Sequence, residues 1–502
     1  MLARPDCDVM IAGAGPAGAA AAIHLAHAGL DVILADFQTF PRDKTCGDFV
    51  GPVALQQLRS LGITQPFSNS YSNIIRTAAI YLDGRHLITN RIPHVSGLPW
   101  CARVIRRKAL DDSMVAKARN SGAEVLEGCR VTGFQIRRDH IQVQVQCNGE
   151  PGIVKSRLLI GADGSTSVVA RLLRGGSVPT DDRVIAVRAY FEDTKGTANQ
   201  ADLFFASESF PGYCWVFPTS KSIANVGVGM IQQTLPPYKH HLKELLLRLI
   251  QQDRALRNRL TGSKLVGKVV GWPLTTYNSS LAIVGERILL IGDAAGLINP
   301  LNGEGIQYAL LSAAWAAQTV TNSAQQGNYT RKALTAYSAR VERELALDMS
   351  VARCVVQLIR NRSLNPVWLQ ALRVMISRSQ VDPEYAHTMG AVLAGLIPAR
   401  SALTLEIIGK TMQQAAVSLG LTSVMEALRG PKHLVQAGVM TSGAAIGMMS
   451  TMRQHHAASV KWGVDLITSA LELARGTSAY DGQIRKSHVG PSLRLKTPSA
   501  NA

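Results

Sequence analysis

Three glycines at the spacing G-x-G-x-x-G, in Gly13-Ala14-Gly15-Pro16-Ala17-Gly18, are followed by an acid, Asp36, 23 residues after the first. These residue types in this order can hold a dinucleotide. The first glycine allows a tight turn, the second lets backbone approach a pyrophosphate, and the third lets a helix pack closely on a strand. Asp36 offers a carboxylate to ribose hydroxyls. A lone G-x-G-x-x-G also arises from packing alone, so the flanking elements decide. Residues 9–12 form a short apolar run that reads as a buried strand. The alanine-rich run 19–28 reads as a helix ended by Gly29, and 32–35 as a second strand closing at Asp36. The N-terminus of the helix then faces the phosphates.

Four further stretches carry groups that could do chemistry. Residues 40–52, FPRDKTCGDFVGP, form a Pro- and Gly-rich loop directly after the ribose strand, so it is expected to run alongside a bound cofactor. Within it Cys46 lies near Arg42 and Lys44, a setting that would lower a thiol pKa and keep it accessible. The plain alternative is a small buried hydrophobe. Asp163 and Gly164, where a strand breaks after Gly161, read either as a turn with a helix cap or as a diphosphate contact. Tyr213, Trp215 and Phe217 alternate, so on a strand they share one face; by composition alone such a stripe is more often core than site. Gly292-Asp293 follows an apolar strand at 288–291, placing Asp293 for hydroxyls of a cofactor chain. Gly303-Glu304-Gly305 then opens a helix whose free N–H groups suit an anionic reduced ring.

The elements that must position these groups fall into a recognisable order. Arg103 precedes a helix in which Leu110, Met114 and Ala118 share a face, a strand begins at 123–126, and 141–147 alternates as a half-exposed strand should. Residues 183–231 offer four β-like runs without helices between them, which reads as a mainly antiparallel sheet. The fold class expected is therefore α/β: a Rossmann-type dinucleotide-binding domain at 1–70, 102–180 and 280–345, and an inserted antiparallel β domain at 71–101 and 181–279. Helical periodicity follows at 346–480, as at Ile408, Met412, Ala415 and Leu419, and then a basic tail at 481–502.

Length and composition agree with an enzyme of more than one domain. The 502 residues exceed one core, and 46% hydrophobic with 18% charged residues excludes a disordered chain. The net charge of +18 favours an anionic partner, nucleic acid or lipid. Seven scattered cysteines without a C-x-x-C pair argue for reduced thiols, a cytoplasmic setting and no metal site, and no export signal is read.

Taken together, G-A-G-P-A-G, Asp36, Arg103, A-D-G at 162–164 and G-D-A-A-G at 292–296 resemble the FAD-binding pattern of p-hydroxybenzoate-hydroxylase-type flavoproteins. Within that superfamily P-R-D-K-x-C-G-D at 41–48 and G-Y-x-W-x-F-P at 212–218 resemble the geranylgeranyl reductase family, including menaquinone-chain reductases, which saturate double bonds in isoprenoid chains. The resemblance implies FAD held by Gly13, Ala14, Gly15, Pro16, Ala17, Gly18, Asp36, Arg42, Cys46, Gly47, Arg103, Asp163, Gly292, Asp293, Gly303, Gly305 and Ile306. It also makes Tyr213, Trp215 and Phe217 candidates for a substrate tunnel. One departure is that Asp48 follows Gly47 where chlorophyll-type members carry a second glycine.

The function expected is reduction of isoprenoid C=C bonds. An isolated trisubstituted alkene accepts hydride poorly, so one carbon is protonated and hydride is given to the tertiary cation. Aromatic faces of Tyr213 and Trp215 stabilise such a cation, by roughly 2 kcal/mol when desolvated, and Cys46 is the candidate acid. The electron donor, NAD(P)H or an external reductant, is left open. Two other readings share the motifs: a flavin-dependent monooxygenase or halogenase of an aromatic or terpenoid substrate, and a non-catalytic FAD-binding protein. The partner expected is an isoprenoid lipid or prenylated quinone, at an anionic membrane surface and not nucleic acid. Arg353, Arg360, Arg362, Arg373 and Arg378 would form a basic helical face there. Residues 433–452, free of Asp, Glu, Lys and Arg, are read as buried or surface-lying, not membrane-spanning.

Overall fold

The computed structural model describes residues 5–68, 72–178, 183–235, 242–428, 462–466 and 468. The expectations for 433–452 and for the tail at 481–502 lie outside the described residues. Among those described, no helix is long and apolar enough to cross a membrane.

The motif-bearing strands form the centre of an eight-stranded sheet. Cys7–Ala12 lies parallel between Val32–Ala35 and Glu150–Gly161, with Glu124–Leu126 beyond the first and Ile288–Leu290 beyond the second. These central strands are covered on both faces, which is why they read as continuous apolar runs. The helix Pro16–His27 packs against Arg107–Asn120 and Ile306–Gln325. Its run of alanines, fully buried from Ala19 to Ala22, leaves room for that close approach. Leu110, Met114 and Ala118 are fully buried on one face of Arg107–Asn120, as their spacing predicts.

Cys129–Ile136 and Ile141–Cys147 extend this sheet as an antiparallel hairpin that leads into Glu150–Gly161. Here the expectation of seven reduced thiols needs correction: Cys129 and Cys147 are direct cross-strand partners and form a disulfide. The two positions are 18 apart, so their pairing follows from hairpin register, which the cysteine spacing alone does not reveal.

A second, seven-stranded sheet runs in the order Lys264–Thr275, Arg183–Glu192, Ile223–Ile231, Tyr213–Pro218, Gln200–Phe205, Thr77–Leu82, Arg85–Arg91. All its pairings are antiparallel except that of Gln200–Phe205 with Thr77–Leu82. One face is closed by Leu242–Gln252, which contributes Leu242, Leu245, Leu246 and Leu249 at helical spacing to its core. The other face carries Trp215 and Phe217 and meets the region after Pro383–Leu393. A small sheet of Phe49–Val50, Ala102–Ile105 and Ser72–Ile75 lies at the entry to the Pro52–Ser60 helix.

Helices from Arg331 onward pack around this body. The basic face expected there is largely tied into the protein: Arg360 pairs with Asp465, Arg362 donates to the carbonyls of Thr234 and Glu208, and Arg378 pairs with Asp382. Met412 and Leu405 instead stand exposed on the Leu405–Leu428 helix.

Candidate active site

The turn after Cys7–Ala12 shows why each glycine is needed. Gly13 has φ +97°, and a Cβ there would lie 2.5 Å from the carbonyl oxygen of Ala162. A Cβ on Gly18 would run into the Gly13 carbonyl. Over Gly15 the space is open, the nearest atom being Arg42 Nη2 at 3.9 Å. No side chain caps the helix that Gly15 begins, and Pro16 at its first position has no N–H to lose. Its remaining first-turn N–H groups therefore face open space beside an arginine, a cradle that fits a diphosphate. Asp36, 5% exposed, accepts from Ala14 N–H at 2.9 Å and Gln38 N–H at 2.9 Å, which fixes its carboxylate at the strand end. The Gly305 cap of the Ile306–Gln325 helix likewise lacks a side-chain partner, and a Cβ on Gly305 would sit 3.2 Å from Asp293 Oδ1. Gly292 and Gly303 take the left-handed turns, φ +56° and +74°, that bring Asp293 and this helix start together.

Not every residue expected on the cofactor faces it with its side chain. The Asp163 carboxylate accepts from the N–H groups of Val168 and Val169 and from the Ser167 hydroxyl, so it caps the Val168–Arg174 helix. That is the turn-and-cap role expected of it, and the Asp163 backbone lies against Gly13. Arg103 sits on Ala102–Ile105 and donates to Ser72 Oγ at 2.6 Å.

The 41–48 loop is where the two large sheets meet. Arg42 donates to Asp111 at 2.8 Å, and Arg107 grips the same carboxylate through two bonds of 2.7 Å. Asp43 pairs with Arg188 at 2.6 Å. Lys44 places its ammonium 3.5 Å from the centre of the Trp272 ring, and burial lowers it to about 8. Asp48 is fully buried in a left-handed conformation, φ +62°. Its carboxylate accepts from Tyr190 Oη at 2.6 Å and from Asn225 Nδ2 at 2.8 Å. Burial outweighs those bonds and raises it to about 6. Asn225 reaches in three directions: it also donates to the Cys46 carbonyl at 2.8 Å and accepts from Trp215 Nε1 at 3.0 Å. A single buried amide thus ties the aromatic strand to the cysteine loop.

Cys46 differs from expectation. Burial pushes its thiol up, against the downward pull of Arg107, and its sulfur accepts from Asp48 N–H at 3.3 Å. The neighbouring cations do not offset the loss of water, so this is not an activated thiol.

Tyr213, Trp215 and Phe217 do share one face, with successive ring centroids 6.1 Å apart. A Cβ on Gly47 would meet Phe217 at 3.3 Å and Trp215 at 3.6 Å, so the stripe lies against the cysteine loop. The Tyr213 hydroxyl donates to the Asn302 carbonyl at 2.8 Å, which joins the stripe to the turn before Ile306–Gln325. Residues 42–48, 213–217, 293 and 303–306 therefore converge on one region. Sequence reasoning missed Asp48 as a buried acid, Arg107, Tyr190 and Asn225. Only Asp48 carried a signal, its acid in a family glycine position.

The model for the FAD binding domain family matches residues 6–344. Menaquinone reductase of Mycobacterium tuberculosis is 32% identical over 62% of this chain and 76% of its own. Digeranylgeranylglycerophospholipid reductase 1 of Methanothermobacter thermautotrophicus is 29% identical over 69% of this chain and 84% of its own. A solved geranylgeranyl bacteriochlorophyll reductase-like protein of Thermoplasma acidophilum superposes with TM-score 0.62 at 22% identity, over 81% of this chain and 95% of that one. Flavin-dependent halogenases share the fold to a similar degree, so fold alone does not choose the reaction. The chain belongs to the FAD binding domain family and, within it, to the geranylgeranyl reductases; it is an FAD-dependent oxidoreductase.

Proposed function

We propose that this member of the family reduces C=C bonds in the chain of an isoprenoid lipid or prenylated quinone. The observation that carries this is the aromatic face of Tyr213, Trp215 and Phe217 set against the Cys46-Gly47 loop, with Trp215 7% and Phe217 8% exposed. The names of the relatives supply the substrate class: one acts on menaquinone, the other on a digeranylgeranyl lipid.

When bound, FAD supplies the hydride. The Gly15 turn and Asp36 would hold its diphosphate and ribose, Gly292 and Asp293 the chain between, and Gly303, Gly305 and Ile306 the end that meets the ring. The stripe lines the substrate chain, excludes water and presents aromatic faces to positive charge on a tertiary carbon. Asn225 keeps Trp215 in that orientation by taking its N–H, so the ring offers its face and not its polar edge. Cys46 positions the loop through backbone and sulfur contacts.

The test is anaerobic. Holoenzyme reduced with dithionite is given a digeranylgeranylglycerol lipid in anionic vesicles, and mass spectrometry follows the lipid. The expected product gains two mass units for each saturated bond, and the protein leaves the vesicles at high salt, where the screening length falls to about 3 Å. Product that forms only with oxygen, or carries oxygen or halide, would sink the reductase reading.

A further inference from the structure

Reduction by this route needs a proton as well as a hydride, and neither Cys46, first expected to give it, nor the neighbouring Tyr213 hydroxyl is well suited. The Cys46 thiol is raised, and the Tyr213 hydroxyl already donates to the Asn302 carbonyl, which can only accept. Two acids lie at the start of the Ile306–Gln325 helix; Asp293 is assigned to the cofactor chain, and the other lies where the stripe meets the helix. It is Glu304, between the left-handed Gly303 and the Gly305 cap.

The surroundings of Glu304 are set by three elements. Its Oε1 lies 3.1 Å from where a Cβ on Gly51 would stand, at the cap of Pro52–Ser60. Its Oε2 lies 2.5 Å from the corresponding point on Gly395, after Pro383–Leu393; Asn302 Nδ2 and Gln307 Nε2 lie 3.3 and 3.5 Å from that same point. Two glycines thus leave the carboxyl the room it fills. Among the described residues no ion pair compensates it. The titratable groups facing it are Tyr213, from the aromatic strand, and Tyr308, from its own helix, and both hydroxyls are themselves pushed up in part by its charge. The nearby amides are neutral: Asn302 gives its Nδ2 to the Leu393 carbonyl and Gln307 its Nε2 to the Gly395 carbonyl. Glu304 as a residue is half-buried.

We infer that Glu304 is the proton donor of the proposed reduction, delivering its proton to an alkene carbon of a chain lying on the Tyr213, Trp215 and Phe217 face. The assignment rests on the reductase reading above. The alkene π pair forms the new C–H bond with the Glu304 proton, which leaves a tertiary cation and a carboxylate. The second C–H bond would be made with the hydride that bound, reduced FAD would supply, the cofactor then being oxidised by two electrons, and the carboxylate regains a proton from water. A two-electron reductant reloads the cofactor. Burial raises this carboxyl to about 8, so the proton stays on it at neutral pH.

The test uses full-length holoenzyme, the anaerobic dithionite assay and the digeranylgeranylglycerol lipid, with Glu304→Gln, Glu304→Asp and Cys46→Ala beside wild type. Glu304→Gln should keep FAD absorbance and near-UV circular dichroism and lose roughly 10²–10⁴-fold in turnover, the usual cost of a missing general acid. Wild-type turnover should fall as pH rises through about 8, because the acid is then deprotonated. Glu304→Asp should restore part of the rate, and Cys46→Ala should lose far less than Glu304→Gln. Independently of turnover, wild type should show a protonated-carboxyl infrared band that disappears over the same pH range and is missing in Glu304→Gln. A Glu304→Gln enzyme as fast as wild type, or an ionised Glu304 at neutral pH, overturns this assignment alone. A wild type that leaves the lipid unchanged overturns the function reading, and the assignment falls with it.

Discussion

The turn at residues 12–18 and the loop at residues 41–48 both lie at the proposed cofactor site, yet they are built in opposite ways. In the first, the decisive contacts are backbone against backbone, and the residue type alone forces them: nothing larger than glycine fits beside the Gly13 and Ala162 carbonyls. In the second, each decisive contact is made by a side chain with a group far away in the chain. Asp48 meets Tyr190 and Asn225 across 142 and 177 positions, and Asn225 meets the Cys46 carbonyl across 179. A site can therefore hold one part written in local spacing and another that exists only once two sheets have come together.

The largest effect that would sharpen this contrast comes from the glycines. Gly18→Ala puts a methyl into the Gly13 carbonyl and should give insoluble protein. Gly15→Val meets open space, so it should fold, as circular dichroism would show, yet purify colourless where wild type is yellow. If Gly15→Val keeps its flavin, the open cradle is not the diphosphate site.

Next comes the amide that joins the sheets. Asn225→Leu leaves Trp215 Nε1 without its acceptor, takes the amide donor from the Cys46 carbonyl and removes one of the donors to Asp48, whose bond from Tyr190 remains. Orphaned buried groups cost about 1–3 kcal/mol each, so the denaturant midpoint should drop clearly while FAD absorbance survives. An unchanged midpoint would mean that the junction is not held this way.

The smallest effect is on pH. Asp48 holds its proton up to about pH 6 when folded, but an unperturbed carboxyl releases it near 3.8. Between those values the folded state binds more protons than the unfolded one, so this residue's contribution to stability falls as pH rises. Asp48→Asn tolerates the left-handed backbone and should flatten that decline in thermal melts at about pH 4.5 and 6.5. Parallel melting curves for the two proteins would remove Asp48 as the titrating group.

These outcomes also mark what was legible beforehand. Strand 32–35, the Gly13–Gly18 turn, the buried face of Leu110, Met114 and Ala118, and the common face of Tyr213, Trp215 and Phe217 follow from period and residue type, which are local quantities. The upward shift of Cys46 was not legible, because desolvation depends on what a fold places around a thiol, and adjacent Arg42 and Lys44 pointed the other way. Asp163 was legible only as a choice between two roles; the helix whose N–H groups it accepts decided it. Asn225, in an apolar strand, carried no mark at all until its three partners arrived from three directions.

That amide has a consequence for recombination. Because one side chain fastens Trp215, the Cys46 carbonyl and Asp48 together, the strands Tyr213–Pro218 and Ile223–Ile231 and the loop at 41–48 form one mechanical unit despite lying far apart in the sequence. A chimera that imports these strands from a relative must import its loop as well, or begin with a mismatched joint at its centre.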